Sequence, residues 1–236
     1  MTGCGIADST APTALSGAMP TALPVTVAQR VVSLSPTATE ILFAIGADKQ
    51  VVAVDDQSNH PAGVPVTDLS GYTPNVEAIA SYDPDLVVAA YDPGDLVAGL
   101  EALGVATLLQ PAAVTIADTY DQVLELGDAT GRIAEAVRVN QRIQAGLAEI
   151  ASSGAGGGLT YYHEVDNTFF TTTSSTFLGQ LYGLLGLSNI ADPAGEAGFG
   201  WPQLSAEFIV DAAPDLVFLG NAAWGCLLYT SPSPRD

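Results

Sequence analysis

One thirteen-residue phrase occurs twice in this chain. Val76-Glu77-Ala78-Ile79-Ala80-Ser81-Tyr82-Asp83-Pro84-Asp85-Leu86-Val87-Val88 returns as Ala206-Glu207-Phe208-Ile209-Val210-Asp211-Ala212-Ala213-Pro214-Asp215-Leu216-Val217-Phe218. In each copy a Glu precedes Pro-Asp-Leu-Val, and each reads as a short helix with an acid in its first turn, halted at Pro-Asp and followed by a buried strand. A second echo keeps the same order at nearly the same offset: Ser35 to Gly46 is answered by Ser175 to Gly186. A separation this long is a duplicated lobe rather than a short solenoid repeat. The chain is therefore expected to build two similar lobes, each with a matched carboxylate.

The segments between the echoes fill in the first lobe. Arg30–Leu34 reads as a strand, and Ser35-Pro36-Thr37 opens a helix in which Thr37 and Glu40 have capping-box spacing. Strands at Val51–Val54, Leu86–Ala90 and Gly104–Leu109 alternate with helices, the pattern of a parallel α/β sheet. From about Thr115 to Ile150 the apolar spacing turns to three, four and seven without a proline, which predicts one long connecting helix. Ser152–Gly158 is glycine-rich but precedes a strand, so it is not a phosphate-cradling loop.

The expected architecture is α/β: two Rossmann-like lobes with parallel central sheets joined by a single long helix, the C-terminal lobe truncated. Its divisions are a tether over 1–29, an N-terminal lobe over 30–112, the connecting helix over 113–151, and an incomplete C-terminal lobe over 157–226. Residues 227–236 fit no element and are expected to be a non-native tail.

Composition narrows the function classes. With 26 acids against 6 bases, a single lysine at Lys49 and a net charge of −20, nucleic acid and anionic membrane surfaces are unfavourable partners. Such a surface also suits solubility in salt. No run of about 18 apolar residues is present to cross a membrane. Met1-Thr2-Gly3-Cys4-Gly5 resembles the end of a bacterial lipoprotein signal, whose cysteine takes the lipid; the Ala-, Thr- and Pro-rich stretch that follows would serve as a leash. The chain is then expected to begin inside its own signal and to be anchored outside the cytoplasmic membrane through Cys4. The alternative is an ordinary cysteine near a frayed terminus. Cys226 is the other cysteine, and no disulfide framework is indicated.

Three ordered segments, Arg30–Glu40, Asn75–Val88 and Trp201–Glu207, resemble the bacterial substrate-binding proteins of ABC importers for vitamin B12, iron siderophores and haem. The resemblance extends from Arg30 to about Asn221. In that family two lobes are joined by one long helix, and paired glutamates dock onto arginines of the two permease subunits. These positions correspond to Glu77 and Glu207. Charge-assisted pairs at pseudo-symmetric positions would orient a monomer on a two-fold permease. Taken singly, an acid in a first turn is ordinary dipole compensation. The vitamin B12 binders of the family share Trp-Pro-Gln before the second glutamate. Two of their first-lobe tryptophans have no equivalent, Leu69 and Ala90 lying near those places.

The resemblance implies a small-molecule cleft lined by loops beyond the strand ends. Those loops offer Gln57, His60, Tyr72, Tyr91, Tyr162, His163, Asp166, Phe169, Phe170 and Trp201, with Tyr91 and Trp201 foremost. Aromatic walls suit a large, rigid, partly apolar ligand, although about half of these rings are expected to be core. No Lys or Arg occurs from Ile143 to Pro234, so a corrinoid or a neutral or cationic ferric chelate is preferred over anionic chelates or haem propionates. A free zinc or manganese carrier using His60, His163, Glu164 and Asp166 is the rival reading. An extracellular sensor and an enzyme are weaker ones. No catalytic motif is present, and no catalytic residue, resident cofactor or metal is assigned.

Overall fold

The computed structural model describes residues 27–195 and 199–220. The first lobe holds β1 (Val31–Leu34), α1 (Pro36–Ala44), β2 (Val51–Val54), α2 (Val76–Ala80), β3 (Leu86–Ala89), α3 (Leu96–Ala102) and β4 (Ala106–Leu109). Its strands form a parallel sheet in the order β2-β1-β3-β4. Then come α4 (Ile116–Ala129) and α5 (Ile133–Ser153). The second lobe comprises β5 (Thr160–Glu164), α6 (Phe177–Leu184), β6 (Ser188–Asn189), α7 (Ala206–Ala212) and β7 (Leu216–Leu219), with parallel order β6-β5-β7.

The short strands are apolar on both sides because helices cover both sides. Val31, Leu86 and Val88 point to a core shared with Leu42 and Ile45 at α1, Leu126 of α4 and Ala136 of α5. Val32, Leu34, Val87 and Ala89 point the other way, onto Ile79 of α2 and Leu96 and Leu100 of α3. Alternate residues of one strand thus reach opposite cores, as the two-residue period of extended backbone requires.

The repeated Pro-Asp has a structural task. Asp85 accepts hydrogen bonds from the Gln29 and Arg30 amides at 2.8 and 2.9 Å, tying down the start of β1. Asp215 does the same for β5, accepting from the Thr160 amide at 2.8 Å and its hydroxyl at 2.9 Å. Just before each proline the chain turns through left-handed backbone, at Asp83 (φ 51°) and Ala213 (φ 43°).

Hydrogen bonding, first of all from the Thr160 amide, holds the Asp215 carboxyl below the usual carboxylate range. A depressed folded-state value contributes stability that is complete above the unfolded value and fades as pH falls through the folded one. The urea midpoint of the native chain should therefore drop more steeply through that acid window than that of Asp215→Asn. Parallel pH curves would refute the clamp.

Two local expectations are corrected. The cap of α1 is Ser35, whose hydroxyl accepts from the Ala38 amide at 3.3 Å, with Pro36 in the first turn; the Thr37–Glu40 pair is not the capping box. The single long helix is two helices. α4 ends at Ala129, the chain turns through Gly131 (φ 68°), and α5 resumes at Ile133. α5 then folds back along α4, so closely that a Cβ on Gly127 would lie 2.5 Å from that of Ala136. The apolar spacing resumes after the turn, so periodicity alone reads through it. The 21-residue α5 leads to the second lobe over about 30 Å at 1.5 Å per residue. Cys4, most of the tether, Cys226 and the 227–236 tail lie outside the described residues.

Candidate ligand cleft

The strands of the first sheet end on one side of the lobe, where their following loops collect. Ser35 follows β1, Ala90 follows β3 and Gln110 follows β4, and all three line a cavity of about 470 Å³ with Pro36 and Gln122. Phe177, the first residue of α6, closes it from the second lobe. Gln180, one turn further along α6, accepts from the Ile116 amide at 3.3 Å and donates to the Val114 carbonyl at 3.4 Å. The second lobe is thereby fastened to the start of α4.

Tyr72 and Tyr91 meet at the first lobe's surface with ring centroids 6.1 Å apart. They remain 69% and 43% exposed, which leaves ring surface for a ligand. The Tyr91 phenol is raised above its ordinary value, first by desolvation and then by Tyr72 and Asp55. Gln57 is exposed in the loop after β2, as is His60.

On the second lobe Trp201 is 42% exposed, on a segment braced on both sides. The Thr173 amide donates to Gly200 and the Thr171 amide to Pro202, at 2.9 and 3.0 Å, and the Leu204 amide donates to Phe169 at 3.1 Å. Phe170 bridges Gln203, and Phe169 turns through left-handed backbone (φ 66°). Asp166 accepts from the amide and hydroxyl of Thr168 at 2.8 and 2.6 Å, and this hydroxyl contact is the first cause holding its carboxyl below the usual range. Asp166 therefore shapes the loop that carries Phe169 and Phe170.

Two expected cleft residues pack within the second lobe, Tyr162 buried and His163 half-buried. Tyr162 is buried among Ile190, Ala191 and Leu204, with Ile209 of α7 against them. Burial raises its phenol to about 12, and its hydroxyl has no hydrogen-bond partner among the described residues. Its neighbour in β5, His163, faces α6, with Nδ1 2.9 Å from the Tyr182 hydroxyl. Desolvation lowers its proton affinity, so it is a neutral member of an aromatic stack in which Tyr182 lies 4.5 Å from Tyr161 and 4.7 Å from Phe218. Alternation along β5 decides both positions: one residue faces α7, the next α6. No group of three or more His, Cys, Asp or Glu able to hold a metal occurs among the described residues.

Sequence reasoning missed Asp55, the first residue beyond β2. It is only 2% exposed. Its Oδ1 accepts from the Ser58 amide at 3.0 Å. The Thr39 hydroxyl lies 3.0 Å from that of Ser58 and 2.9 Å from that of Ser33, so buried hydroxyls run from Asp55 towards the cavity wall at Ser35. Its place at a strand's C-terminal end was the available signal.

Glu77 and Glu207 are exposed in the first turns of α2 and α7. Asn75 and Ser205 cap those helices, accepting from Ala78 and Phe208 amides at 2.8 and 3.1 Å. The echo thus holds at the level of matched helix starts.

Two parallel-sheet lobes, joined through a helical hairpin, with a cavity walled by the first lobe's strand-end loops and closed by Phe177 of the second, define a two-lobed binding-protein fold. The chain belongs to the periplasmic binding protein family, which its residues 31–225 match. This is a family of binding proteins rather than enzymes. The chain is 31% identical over 204 residues to a cobalamin-binding protein of Halobacterium salinarum, covering 83% of this chain and 54% of that protein. It therefore spans about half the length of that relative. Its fold matches a possible iron-binding (periplasmic solute-binding) protein from Staphylococcus epidermidis at a TM-score of 0.74 and 24% identity, covering 82% of this chain and 78% of that one. The periplasmic vitamin B12 binding protein of Vibrio cholerae matches at a TM-score of 0.66 and 24% identity, with 85% and 80% covered.

Proposed function

We propose that this chain is the extracytoplasmic substrate-binding component of an ABC importer, capturing a corrinoid or a neutral or cationic ferric chelate between its lobes. It acts as a monomer, held to the membrane by a lipid on Cys4, and delivers its cargo to a permease dimer through Glu77 and Glu207. The observation that carries this reading is the interlobe cavity, lined among the described residues by alanines, prolines, hydroxyls, two glutamines and Phe177 without Lys or Arg; exposed Tyr91 directly follows its lining residue Ala90, with Tyr72 against it, and Trp201 is exposed on the second lobe.

Flat rings supply dispersion and stacking to a large rigid ligand. A cavity lining that among the described residues holds no guanidinium or ammonium group gives no counter-charge to haem propionates or catecholates. The free-metal reading is weaker because His163 is engaged with Tyr182 and its neighbour Asp166 with Thr168. Calorimetry against cyanocobalamin, ferrioxamine, haem and zinc chloride tests the assignment. Micromolar or tighter binding of a corrinoid or hydroxamate chelate is expected, lost in Trp201→Ala with Tyr91→Ala. A stoichiometric response to zinc alone would replace it with the metal-carrier reading.

A further inference from the structure

The buried carboxylate of Asp55 has no partner of opposite charge among the described residues. Asp55 is 2% exposed, and what reaches it is hydroxyl and amide: Ser58 at Oδ1, Thr39 and Ser33 behind Ser58, and the Gly71 backbone. Gly71 is required to be small. A Cβ there would stand 2.6 Å from the Leu34 carbonyl oxygen and 3.1 Å from Asp55 Oδ2. The next residue is Tyr72, and Tyr72 packs on Tyr91. The chain thus brings its backbone against a desolvated acid at the point where it presents two exposed rings.

We propose that Asp55 is the charge-selecting residue of the cleft: set against the Gly71 backbone that leads into the Tyr72–Tyr91 pair, its carboxylate favours ligands carrying positive charge at those rings over neutral ligands of the same shape. This rests on the ligand-capture reading above and deepens it by naming the charge of the cargo. Among the described residues, the titratable groups facing Asp55 are Asp56 beside it and Tyr91 from the β3–α3 loop, with Tyr72 against Tyr91; α1 and β1 contribute the hydroxyls of Thr39 and Ser33. None neutralises it. Asp55 is also, after desolvation and Tyr72, among the influences that raise the Tyr91 phenol. Electron-rich ring faces attract a cation in the same direction.

Burial, the foremost cause, raises the Asp55 carboxyl above the usual range, so its charged form costs the fold more than a neutral side chain of the same shape would. A raised carboxylate stabilises the folded chain below its unfolded value, and that contribution is lost as pH rises through the folded one. Asp55→Asn should therefore leave stability at pH 7.5 unchanged or improved while removing selectivity. A purely structural role predicts the reverse.

The probes are ferrioxamine B, with its pendant ammonium, and its neutral N-acetyl derivative, titrated calorimetrically into the wild-type chain and Asp55→Asn. At pH 7.5 the wild type should prefer the ammonium form on the order of tenfold, as one charge at moderate effective dielectric allows, and Asp55→Asn should not discriminate. In the wild type the preference should disappear as pH falls through the Asp55 midpoint, which decides the matter even if the variant folds poorly. Equal affinities at pH 7.5 would overturn the proposal and leave the capture reading intact. Binding of neither probe would count against the hydroxamate reading alone. Tetramethylammonium then decides, read by the fluorine signal of 3-fluorotyrosine at Tyr91: a shift in wild type absent from Asp55→Asn supports the proposal, and no shift overturns it.

Discussion

Replacing both matched carboxylates, Glu77→Ala with Glu207→Ala, should abolish most transport while leaving ligand capture unchanged. Each Glu, paired with a permease arginine, would make a charge-assisted contact of about 1.5–3 kcal/mol. Losing two weakens docking by roughly 3 kcal/mol or more, on the order of a hundredfold. Either single variant should cost about tenfold, because the other lobe still orients the complex.

The fold should tolerate the change. Both side chains are exposed, and the caps at Asn75 and Ser205 remain, so each helix loses only its acid-to-dipole interaction of about 0.3–1 kcal/mol. Uptake into vesicles carrying the cognate permease and ATPase measures transport, and calorimetry measures capture. Full uptake by the double variant would remove the docking assignment. Docking that is also insensitive to salt would contradict an electrostatic anchor.

Both glutamates were visible in the sequence for the same reason the lobes were: the duplication places them on equivalent, locally determined helix starts. The parallel strands were legible because runs such as Leu86–Ala89 are apolar without alternation and are bounded by Pro-Asp and glycine. What the sequence concealed is set by three-dimensional packing. A three-residue turn around Gly131 divides the expected long helix; Gly127 gives Ala136 room once α5 folds back, and the apolar period does not register the reversal. Of the expected cleft residues, Tyr72, Tyr91 and Trp201 lie exposed on loops, where residue type and loop position could be read together. Tyr162 and His163 instead sit within β5 proper, where alternation assigns each ring to a helix-covered face. Asp55 was overlooked for the opposite reason. In sequence it is one acid among 26, and only its burial marks it out.

The second large effect is expected within α6, from a pair of glycines that the sequence does not distinguish. A methyl group on Gly179 would overlap the Thr173 carbonyl oxygen and come within 2.7 Å of Ser174 Cα, whereas one on Gly183 would meet nothing within 4 Å. Gly183→Ala should thus gain about 0.5–1 kcal/mol from helix propensity. Gly179→Ala should lose about 3 kcal/mol or more, since backbone on the far side of the contact cannot yield as a side chain would. The consequence extends to the cleft. Gly179 lies between Phe177, which closes the cavity, and Gln180, which ties the lobes at Val114 and Ile116. Lifting α6 off the Thr173–Ser174 backbone would displace both, so ligand affinity should fall together with stability in Gly179→Ala and stay unchanged in Gly183→Ala. Urea unfolding followed by near-ultraviolet circular dichroism, with calorimetry on the same samples, measures the two quantities. Equal stabilities for the two variants would show that α6 does not seat against the second lobe in this way, and that Phe177 closes the cavity by some other support.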